Sequence, residues 1–566
     1  MEKRWILPPL DEASEPADFW KEVCDLPCIA RLLMRKGLAS AEDVRAFLTP
    51  RLAGLSDPFL LPNMRIAVDR ILQAIDRQER IVLFGDYDVD GVTSLALLDE
   101  MLRAYGVDPQ LFLPSRMEEG YGLSREGLAR CSQTFDPQLL IAIDCGTSSS
   151  IEIAELTARG VDVIVLDHHE PKSELPKCAA IVNPKTEENS PFDYLCSVGI
   201  VFKLCHALLK TRPLTDFDLK EHLDLVALGT VADIVPLHHE NRVLVHHGAR
   251  QIACSRLPGM RKLMEVASVR PPIGSEHIGF RLGPRLNAAG RLSTAEKALQ
   301  LLRTHSEAEA ASLAEILDAQ NRERQSVEKE IFAAAGEKIA RDFVASRDAA
   351  IVLGEQQWHP GVLGIVASRI ARKYHRPTII VGFDEAGLGK GSGRSIEGLS
   401  LVETLTQCDQ WLEKYGGHEM AAGLTILEKH FAPFAEAFGA ACRALLSDDH
   451  LQPRLHLDHE LALDELNFDL LRWHELLQPF GNGNPQPLFL ARGVSPAAPP
   501  QIVKEKHLVL RLRQGDRYRR AIFFGGAETT LPDAPWDVAF RIGADEYEGE
   551  TRLQMQIEAL RAAAPL

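Results

Sequence analysis

The chain has 566 residues, too many for a single hydrophobic core, so its length predicts several domains. A composition of 45% hydrophobic and 25% charged residues is that of a globular protein and excludes wholesale disorder. The formal net charge of −17 means that a polyanion would have to bind at a locally basic surface, because the overall charge opposes it.

Targeting signals and cysteine pairs are both missing from the sequence. The chain begins MEKRWILPPLDEASEP, without a secretory signal, and no apolar run reaches the length of a membrane span. The ten cysteines are scattered and form no CxxC pair, which predicts reduced thiols and no zinc site. We therefore expect a cytoplasmic protein with no membrane partner.

The first half of the chain has the pattern of an α/β protein. Residues 1–55 predict small helices, and from about residue 80 to 237 short apolar runs alternate with helical stretches. The runs RIVLF, QLFLP, LLIAI and VDVIVL have strand length, and the turns after them carry glycine or polar residues. The stretches TSLALLDEMLRAYG and SIEIAELTARG have helical periodicity and end at glycine. This alternation predicts a parallel sheet buried on both faces.

The second half predicts three further parts. No proline occurs between Pro284 and Pro360, and residues 294–346 predict a long connecting helix or helical pair. A dimerising coiled coil is the alternative, but the apolar spacing holds for too few heptads to favour it. The runs AAIVLG and PTIIVGF flank the helical VLGIVASRIARKY and predict a second, smaller α/β unit. Finally, HLVLRLR, YRRAIFF, WDVAFRIG and RLQMQIEA predict a small β-barrel of the oligonucleotide-binding type.

An acidic cluster, FGDYDVDG, follows the first predicted strand. Asp86, Asp88 and Asp90 alternate along what we expect to be an extended segment, so their side chains should point the same way. Three converging carboxylates repel one another unless a cation compensates them. The spacing does not fit an EF-hand, and a solvated acidic turn is the alternative interpretation.

Acidic and imidazole groups recur at the ends of later runs. Asp144 ends LLIAI, the triplet Asp167, His168 and His169 ends VDVIVL, and Asp233 lies in the turn of LGTVADIVPL. Ligands bind outside the carboxyl ends of parallel strands, and helix capping would not explain a His-His pair. Oxygen-rich ligation with one or two imidazoles indicates Mn²⁺ or Mg²⁺. The number of carboxylates favours two cations bridged by one aspartate, which is an arrangement that hydrolyses phosphoesters.

Several segments outside this cluster are candidates for contact with a nucleic acid. We interpret GFRLGPRLNAAGR and KGSGRS as glycine-containing loops that present guanidinium and backbone N–H groups to phosphates. Pairing of these arginines with the chain's many acids is the alternative. The glycines of GGHEMAAG put a histidine on an approachable backbone, and LPSRMEEGYG offers a phosphate contact and a tyrosine that could stack on a base. The candidate residues are Arg116, Tyr121, Arg285, Asn287, Arg291, Ser392, Arg394 and His418.

The barrel segment carries the densest basic run of the chain. A charge run is usually a solvated face, but a basic face on a small barrel suits a single strand. The run consists of Lys504, Lys506, His507, Arg511, Arg513, Arg517, Arg519 and Arg520.

Taken together, the motifs resemble those of a known family. DYDVDG, the end of the Asp144 strand, the DHH triplet and GTVAD resemble the motifs of the DHH phosphoesterase superfamily. GFRLGPRLNAAGR, WHPGVLGIVASR, KGSGRS, GGHEMAAG and PFGNGNPQPLF resemble those of its single-strand-specific DNA exonucleases. The resemblance covers nearly all of the chain beyond residue 50. It implies an N-terminal segment (1–55), a DHH catalytic domain (56–293), a connecting helix (294–346), a nucleic-acid-gripping DHH-associated domain (347–446) and a barrel domain (455–566).

The resemblance also implies roles for the strand-end residues. Asp88 and Asp90 would bind different cations, while Asp144 would bridge them. Many relatives carry a histidine four residues before the first aspartate of the DxD motif, where this chain has Phe84, and Asp86 is the candidate replacement. The second site would be completed by His168 and Asp233, and His169 would contact the scissile phosphate.

The implied activity is 5′-to-3′ hydrolysis of single-stranded DNA in repair and recombination. The implied protein is a monomer that works with a helicase and a single-stranded-DNA-binding protein. One alternative is a DHH phosphodiesterase acting on cyclic dinucleotides or short oligonucleotides, although such enzymes need no barrel. A non-catalytic DNA-binding scaffold would have lost its metal motifs, and a module that edits misacylated RNA would lack the DxD segment.

Overall fold

The computed structural model describes residues 3–8, 23–115, 119, 122–172, 174–292, 294–547 and 550–563. The chain forms two compact units. The larger unit consists of residues 5–284, 298–311 and 456–566, and the smaller unit of residues 1–4, 285–297 and 312–455. In the described part of the chain, no helix is both long and apolar enough to cross a membrane.

The larger unit contains the predicted parallel sheet. Its strands lie in the order β2-β1-β3-β4-β5, and every pairing is parallel. Every residue of β1 and β3 is buried, as expected for a sheet covered on both faces. The fifth strand was not among the predicted runs. The strands are β1 (Ile81–Gly85), β2 (Gln110–Phe112), β3 (Leu139–Ile143), β4 (Asp162–Leu166) and β5 (Ala180–Val182).

Three helices of this unit position the site: α1 (Val89–Ala104), α2 (Ser197–Thr211) and α3 (Leu223–Ala232). Strand order reverses between β1 and β3, and ligands of parallel sheets bind at the carboxyl ends of strands beside such a reversal. The remaining helices up to residue 303 are Pro27–Arg35, Ala41–Leu48, Met64–Asp76, Arg125–Phe135, Ser150–Ala158, His239–Ala253, Pro258–Val266, Ser275–His277, the π-helical Ile278–Leu282, Gly283–Leu292 and Glu296–Arg303. A strand at Arg4–Ile6 and short helical turns at Leu52–Gly54, Pro58–Leu60, Pro184–Thr186 and Leu219–His222 complete this part.

The smaller unit contains the second α/β sheet, in the order β9-β10-β8-β7-β6. The pairing of β6 with β7 is parallel, and the other pairings of this sheet are antiparallel. The predicted helical pair, whose residues are divided between the two units, consists of Glu296–Arg303 followed by the 36-residue helix α4 (Glu307–Asp342). The other elements are β6 (Ile351–Gln356), α5 (Pro360–Tyr374), β7 (Thr378–Phe383), β8 (Leu388–Arg394), Leu401–Thr406, the turn Asp409–Trp411, β9 (Lys414–Gly417), β10 (Ala421–Leu427), Glu428–Leu445 and Arg454–His456.

The C-terminal part of the larger unit is the predicted barrel. Its strands lie in the order β11-β12-β16-β17-β15-β14-β13, and an additional pairing between β12 and β14 closes five of them into a barrel. The strands are β11 (His459–Glu460), β12 (Phe489–Pro496), β13 (Gln501–Val503), β14 (His507–Gln514), β15 (Arg517–Phe523), β16 (Trp536–Tyr547) and β17 (Glu550–Ala562), with helix Phe468–Leu476 and the turn Gly526–Glu528 between them.

Two predictions of glycine-rich loops are wrong. GFRLGPRLNAAGR is helical, because the π-helical turn Ile278–Leu282 continues into the helix Gly283–Leu292. KGSGRS forms most of the inner strand β8. There a Cβ on Gly391 would lie 2.7 Å from a methyl group of Leu424, and one on Gly393 would lie 2.6 Å from Ile379. These two glycines therefore permit close packing in the core and do not make a flexible loop.

The buried ion pair of Lys203 and Glu240 anchors the chain at Ser56 within the larger unit. The Lys203 side chain is fully buried, and its Nζ lies 2.8 Å from Glu240 Oε2 and 2.8 Å from the carbonyl oxygen of Ser56. Glu240 also accepts a hydrogen bond from the Ser56 amide. Removal of one partner would leave the other charge buried without compensation.

We expect Glu240→Ala to lower the free energy of unfolding by about 3–5 kcal/mol, because it leaves the buried ammonium group of Lys203 without a counter-charge. Glu155→Ala is the matched control, since it breaks an exposed 3.1 Å pair with Arg125 and should destabilise the protein far less. Urea denaturation of both variants measures the difference. Equal destabilisation would show that burial does not decide the effect.

Candidate metal centre

The first carboxylates lie where β1 passes into α1. Asp86 directly follows the strand and is buried. The Asp88 side chain caps α1 by accepting hydrogen bonds from the amides of Asp90 (2.9 Å) and Gly91 (3.1 Å). The predicted extended conformation of this segment is therefore wrong, because the cap starts a helix at Val89 and places Asp90 in its first turn.

Glycine is required at position 91. A Cβ there would lie 2.4 Å from the carbonyl oxygen of Asp86 and 2.8 Å from its nitrogen. The chain can fold back over Asp86 only without a side chain at this position. The final glycine of DYDVDG is therefore part of the geometry that brings the aspartates together.

Asp90 is buried against the N-terminus of α2. Its Oδ2 accepts a 2.7 Å hydrogen bond from the Ser197 amide, and its Oδ1 accepts one of 2.8 Å from the Val198 amide. A helix N-terminus stabilises a negative charge in this way. Burial and the charge of Asp88 nevertheless raise the pKa of Asp90 to about 7.

Asp144 follows β3 in a left-handed backbone conformation, with φ of 63°. Its amide donates to the carbonyl oxygen of Leu166 at 2.9 Å, and its Oδ1 accepts a 2.9 Å hydrogen bond from Ser197 Oγ. Burial, together with the neighbouring aspartates, raises the pKa of Asp144 well above its ordinary value. This backbone conformation costs free energy in a non-glycine residue, and residues that adopt it cluster at functional sites.

Asp167 organises the DHH triplet as a hydrogen-bond acceptor. It accepts from the amides of Thr147 (3.1 Å), His168 (2.8 Å) and His169 (3.1 Å), and its Oδ1 lies 2.7 Å from His169 Nδ1. Burial alone would raise the pKa of Asp167, but these bonds and the charge of His169 hold it well below the ordinary value. Asp167 therefore supports the two histidines.

The His168 ring is the strongest indication of a cation. Nε2 lies 3.5 Å from Asp144 Oδ1, 3.5 Å from Asp233 Oδ2 and 3.9 Å from Asp90 Oδ2. This nitrogen is buried and has no hydrogen-bond partner among the described residues. Burial lowers the pKa of His168 to about 3, so the ring is neutral and suited to metal ligation. A buried, unsatisfied imidazole nitrogen facing three carboxylates fits a divalent cation.

Asp233 reaches this cluster from a helix. It caps the C-terminus of α3, so it does not continue the strand-end pattern of Asp144 and His168. A Cβ on Gly229 would lie 2.4 Å from Thr93 Oγ1 and 3.1 Å from Asp90 Oδ1, which explains the glycine of GTVAD. Burial and the charge of Asp90 raise the pKa of Asp233 well above its ordinary value.

The ligand atoms fall into overlapping groups in which all atoms lie within 4.8 Å of one another. One group contains the two aspartates before α1 and Asp144, and another joins Asp90 and Asp233 through His168. Because Asp144 also groups with the two histidines, it lies where a bridging ligand would be needed. The groups are Asp86, Asp88 and Asp144; Asp90, His168 and Asp233; and Asp144, His168 and His169.

Ser197 and Val198 belong to the site but were not predicted from the sequence pattern. Together they donate three hydrogen bonds to Asp90 and Asp144. The available signal was a serine at the start of the apolar stretch SVGIVFKLCHALL, which is typical of a helix N-terminus. Its partners are far away in the sequence, so this signal predicts the helix start and not the contact.

The predicted substrate residues lie in different places. Arg116 and Tyr121 lie outside the described residues. Arg285 donates from Nε to Asp318 at 2.9 Å, within the smaller unit, as the acid-pairing alternative predicts. Asn287 lies on the same helix, and His418 is exposed in the turn between β9 and β10.

Three of these residues surround the start of α5 in the smaller unit. Arg291 donates from one guanidinium nitrogen to the Gly361 carbonyl oxygen at 3.2 Å. A Cβ on Gly364 would lie 2.9 Å from a guanidinium nitrogen of Arg394 and 3.0 Å from Ser392 Oγ. Arg394 also donates to Ser392 Oγ at 3.2 Å. Guanidinium groups around the first turns of a helix form a suitable environment for an anion.

Family models match three parts of the chain. They are the N-terminal domain of the DHH family at residues 80–230, the DHHA1 domain at residues 347–444 and the RecJ OB domain at residues 457–559. With the carboxyl-edge cluster of aspartates and histidines, they define a metal-dependent phosphoesterase of the DHH class.

Relatives specify the family within this class. The single-stranded-DNA-specific exonuclease RecJ of Bacillus subtilis is 34% identical over 94% of this chain and 67% of that protein. RecJ of Escherichia coli is 34% identical over 97% of both. The crystal structure of Thermus thermophilus RecJ with Mn²⁺ matches with a TM-score of 0.83 and 32% identity, covering 100% of this chain and 80% of that one. The chain belongs to the RecJ family.

Membership confirms several predictions from the sequence. The fold class is an α/β parallel-sheet domain with helices, a second sheet and a C-terminal barrel, as expected. The enzyme class, a metal-dependent nuclease that hydrolyses phosphodiester bonds, is also confirmed. Solved RecJ structures contain Mn²⁺ or Mg²⁺, the two cations indicated by the oxygen-rich ligand set.

The raised pKa of Asp90 predicts how metal-free protein responds to pH. The buried carboxyl stays protonated up to about pH 7, whereas in the unfolded chain it ionises near pH 4. The stability that it contributes is therefore complete below about pH 4 and is lost as the pH rises towards 7. Thermal unfolding in EDTA should show a larger loss of stability between pH 5 and 8 for the wild type than for Asp90→Asn.

Added Mn²⁺ should reverse this trend in the wild type, because cation binding requires deprotonated ligands and strengthens as the pH rises. If Asp90→Asn in EDTA follows the same pH profile as the wild type, Asp90 does not have the raised pKa.

Proposed function

We propose that this protein degrades single-stranded DNA from the 5′ end by a two-metal mechanism, in DNA repair and recombination. The observation that carries the proposal is the buried, unsatisfied Nε2 of His168 between Asp144, Asp233 and Asp90. A deep cluster of this kind requires cations, and the RecJ relatives are named for acting on single-stranded DNA.

We assign the ligands to two cations that share Asp144. Asp86 and Asp88 would hold one cation, and Asp90, His168 and Asp233 the other. When bound, two such cations activate a water molecule and stabilise the departing oxygen of a phosphodiester. The chain's own contribution is to fix the carboxylates through the helix caps and the N-terminus of α2.

His169 is assigned to the scissile phosphate. Burial disfavours the charged ring, but the hydrogen bond to Asp167 and the nearby aspartates outweigh this effect and raise the pKa of His169. A protonated ring held through Nδ1 has a second N–H group, which can donate to a phosphate oxygen. This role makes His169, with Asp144, the pair of residues assigned to the reaction itself.

The 5′ polarity is supported by the smaller unit. Arg291, Ser392 and Arg394 surround the first turns of α5, an environment that suits a terminal phosphate. We place the remaining substrate contacts at Arg116, Tyr121, Arg285, Asn287 and His418. We propose five domains: the N-terminal segment (1–55), the catalytic domain (56–293), the connecting helix (294–346), the gripping domain (347–446) and the barrel (455–566).

The barrel is assigned to the single strand beyond the cleavage site. Arg511 lies opposite Arg520 on neighbouring strands, and Arg513 lies opposite the half-exposed Tyr518. Basic and aromatic side chains on one barrel face suit an unpaired strand of any sequence. We further propose that the protein acts as a monomer in the cytoplasm, where its ten free cysteines stay reduced, together with a helicase and a single-stranded-DNA-binding protein.

The test is a nuclease assay with 5′-labelled and 3′-labelled single-stranded and double-stranded DNA in Mn²⁺, Mg²⁺ or EDTA. We expect cleavage of the single strand from the 5′ end, abolished by EDTA and reduced more than about 100-fold by Asp144→Ala, because the bridging ligand is lost. Asp136→Ala removes an exposed carboxylate and is the control.

Three outcomes would contradict the proposal. Activity that persists in EDTA or in Asp144→Ala would exclude the metal centre as the catalyst. Equal cleavage of duplex DNA would exclude the strand preference, and exclusive cleavage of cyclic dinucleotides would exclude an exonuclease.

The gripping role of Arg394 has its own test. Arg394→Ala should weaken single-stranded DNA binding and make its logarithmic salt dependence shallower by about one phosphate contact, while Mn²⁺ affinity stays unchanged. Arg372→Ala removes an exposed guanidinium from the last turn of α5 and serves as the control. Identical DNA affinity and salt slope in the two variants would show that Arg394 has only a structural role in β8 and does not contact DNA.

A further inference from the structure

Two large apolar side chains near the end of α3, where Asp233 lies, are unusually exposed. Phe280 is 79% exposed and Ile234 is 70% exposed, the highest values for large apolar side chains in the described residues. Ile234 directly follows the candidate ligand Asp233, whose Oδ2 lies 3.5 Å from His168 Nε2. Contiguous apolar surface that is left in water marks interaction sites and ligand-binding grooves.

Phe280 lies beside the same end of α3. It belongs to the π-helical turn Ile278–Leu282, and such turns are frequent at functional sites. A Cβ on Gly279 would lie 3.4 Å from Val231 Cγ1, and one on Gly283 would lie 3.4 Å from Ala232 Cβ. The turn therefore packs against the residues that lead into Asp233 and Ile234.

The backbone of Ile234 is strained. Its φ of 61° lies in the left-handed region, which a β-branched residue adopts only where the surroundings enforce it. The enforcing contacts come from Asn482, whose Nδ2 donates to the Ile234 carbonyl oxygen at 2.7 Å. The Asn482 carbonyl oxygen in turn accepts from the Leu237 amide at 2.7 Å. Ile234 is thus held facing the solvent.

The same loop, residues 480–484, also holds the segment that leads to Phe280. Ser275 lies three residues before the π-helical turn, and its Oγ donates to the carbonyl oxygen of Phe480. Gly483 has φ of 70°, and a Cβ there would lie 3.0 Å from Pro236 Cβ, so the loop requires glycine. The motif PFGNGNPQPLF is explained as a brace for both exposed side chains.

We propose that Ile234 and Phe280 form an apolar step that contacts the nucleobases of single-stranded DNA next to the scissile phosphate. The inference rests on the proposed function, because the metal centre must hold a phosphodiester for the step to lie against its bases. Every unstacked base presents an apolar face, so the contact would not depend on sequence. Paired and stacked bases cannot offer that face, so the step would favour single strands.

The experiment compares Phe280→Ala and Ile234→Ala with matched controls that remove exposed apolar side chains elsewhere. Phe468→Ala and Ile66→Ala fit, because these residues are 61% and 51% exposed on helices without metal ligands. The readout is kcat/KM on single-stranded oligonucleotides, either complete or with abasic residues at the first positions from the 5′ end. Mn²⁺ affinity and sedimentation are measured in parallel.

We expect Phe280→Ala to lower kcat/KM on complete DNA by on the order of tenfold, as for one lost stacking contact. Ile234→Ala should have a smaller effect. Both variants should match the wild type on abasic DNA and in Mn²⁺ affinity. Equal losses on complete and abasic DNA, or losses no larger than those of Phe468→Ala and Ile66→Ala, would overturn the inference.

A change of oligomeric state in Phe280→Ala would also overturn it, since the face would then be an interface between copies of the chain. These outcomes differ from a failure of the proposed function. In that case the wild type would not cleave single-stranded DNA at all.

Discussion

The mutual repulsion of buried carboxylates at the carboxyl edge of the parallel sheet is the constraint on which the centre depends. Burial and neighbouring charge raise the pKa of Asp90, Asp144 and Asp233, so the polypeptide alone does not stabilise them as anions. It offsets part of this cost with the N-terminus of α2 and the Ser197 hydroxyl. Asp167 receives a fuller set of donors, and its pKa falls. Asp167 is therefore stabilised as an anion by hydrogen bonds from the protein, whereas the three other carboxylates need cations to be stable as anions.

This constraint accounts for much of the local sequence. Gly91 and Gly229 stand where a Cβ would strike Asp86, Thr93 or Asp90, so the motifs around the aspartates reflect close packing. Asp144 adopts the left-handed backbone because the chain must turn sharply to direct its carboxylate into the cluster. Residues around the metals are therefore fixed by sterics as much as by ligand chemistry.

The sequence predicted the parts of this arrangement that depend on local pattern. Strand runs such as LLIAI and the ligands at their ends could be recognised because burial and strand ends leave a local signature. Ser197 could not be assigned to Asp90, because the two residues are 107 positions apart. β8 was misassigned as a loop because glycine favours turns in general, whereas Gly391 and Gly393 are there to admit Leu424 and Ile379. Local rules do not distinguish these two uses of glycine.

The net charge of −17 is less of an obstacle to DNA binding than it first suggests. The formal count treats Asp90, Asp144 and Asp233 as full negative charges, although their pKa values are raised and divalent cations would compensate them. Other acidic side chains are neutralised by ion pairs within the protein, as Glu240 is by Lys203. Basic groups are instead concentrated on outward positions, where Arg511 faces Arg520 across the barrel strands. Because exposed charges are screened beyond about 8 Å in physiological salt, a nucleic acid responds to such local surfaces more than to the total.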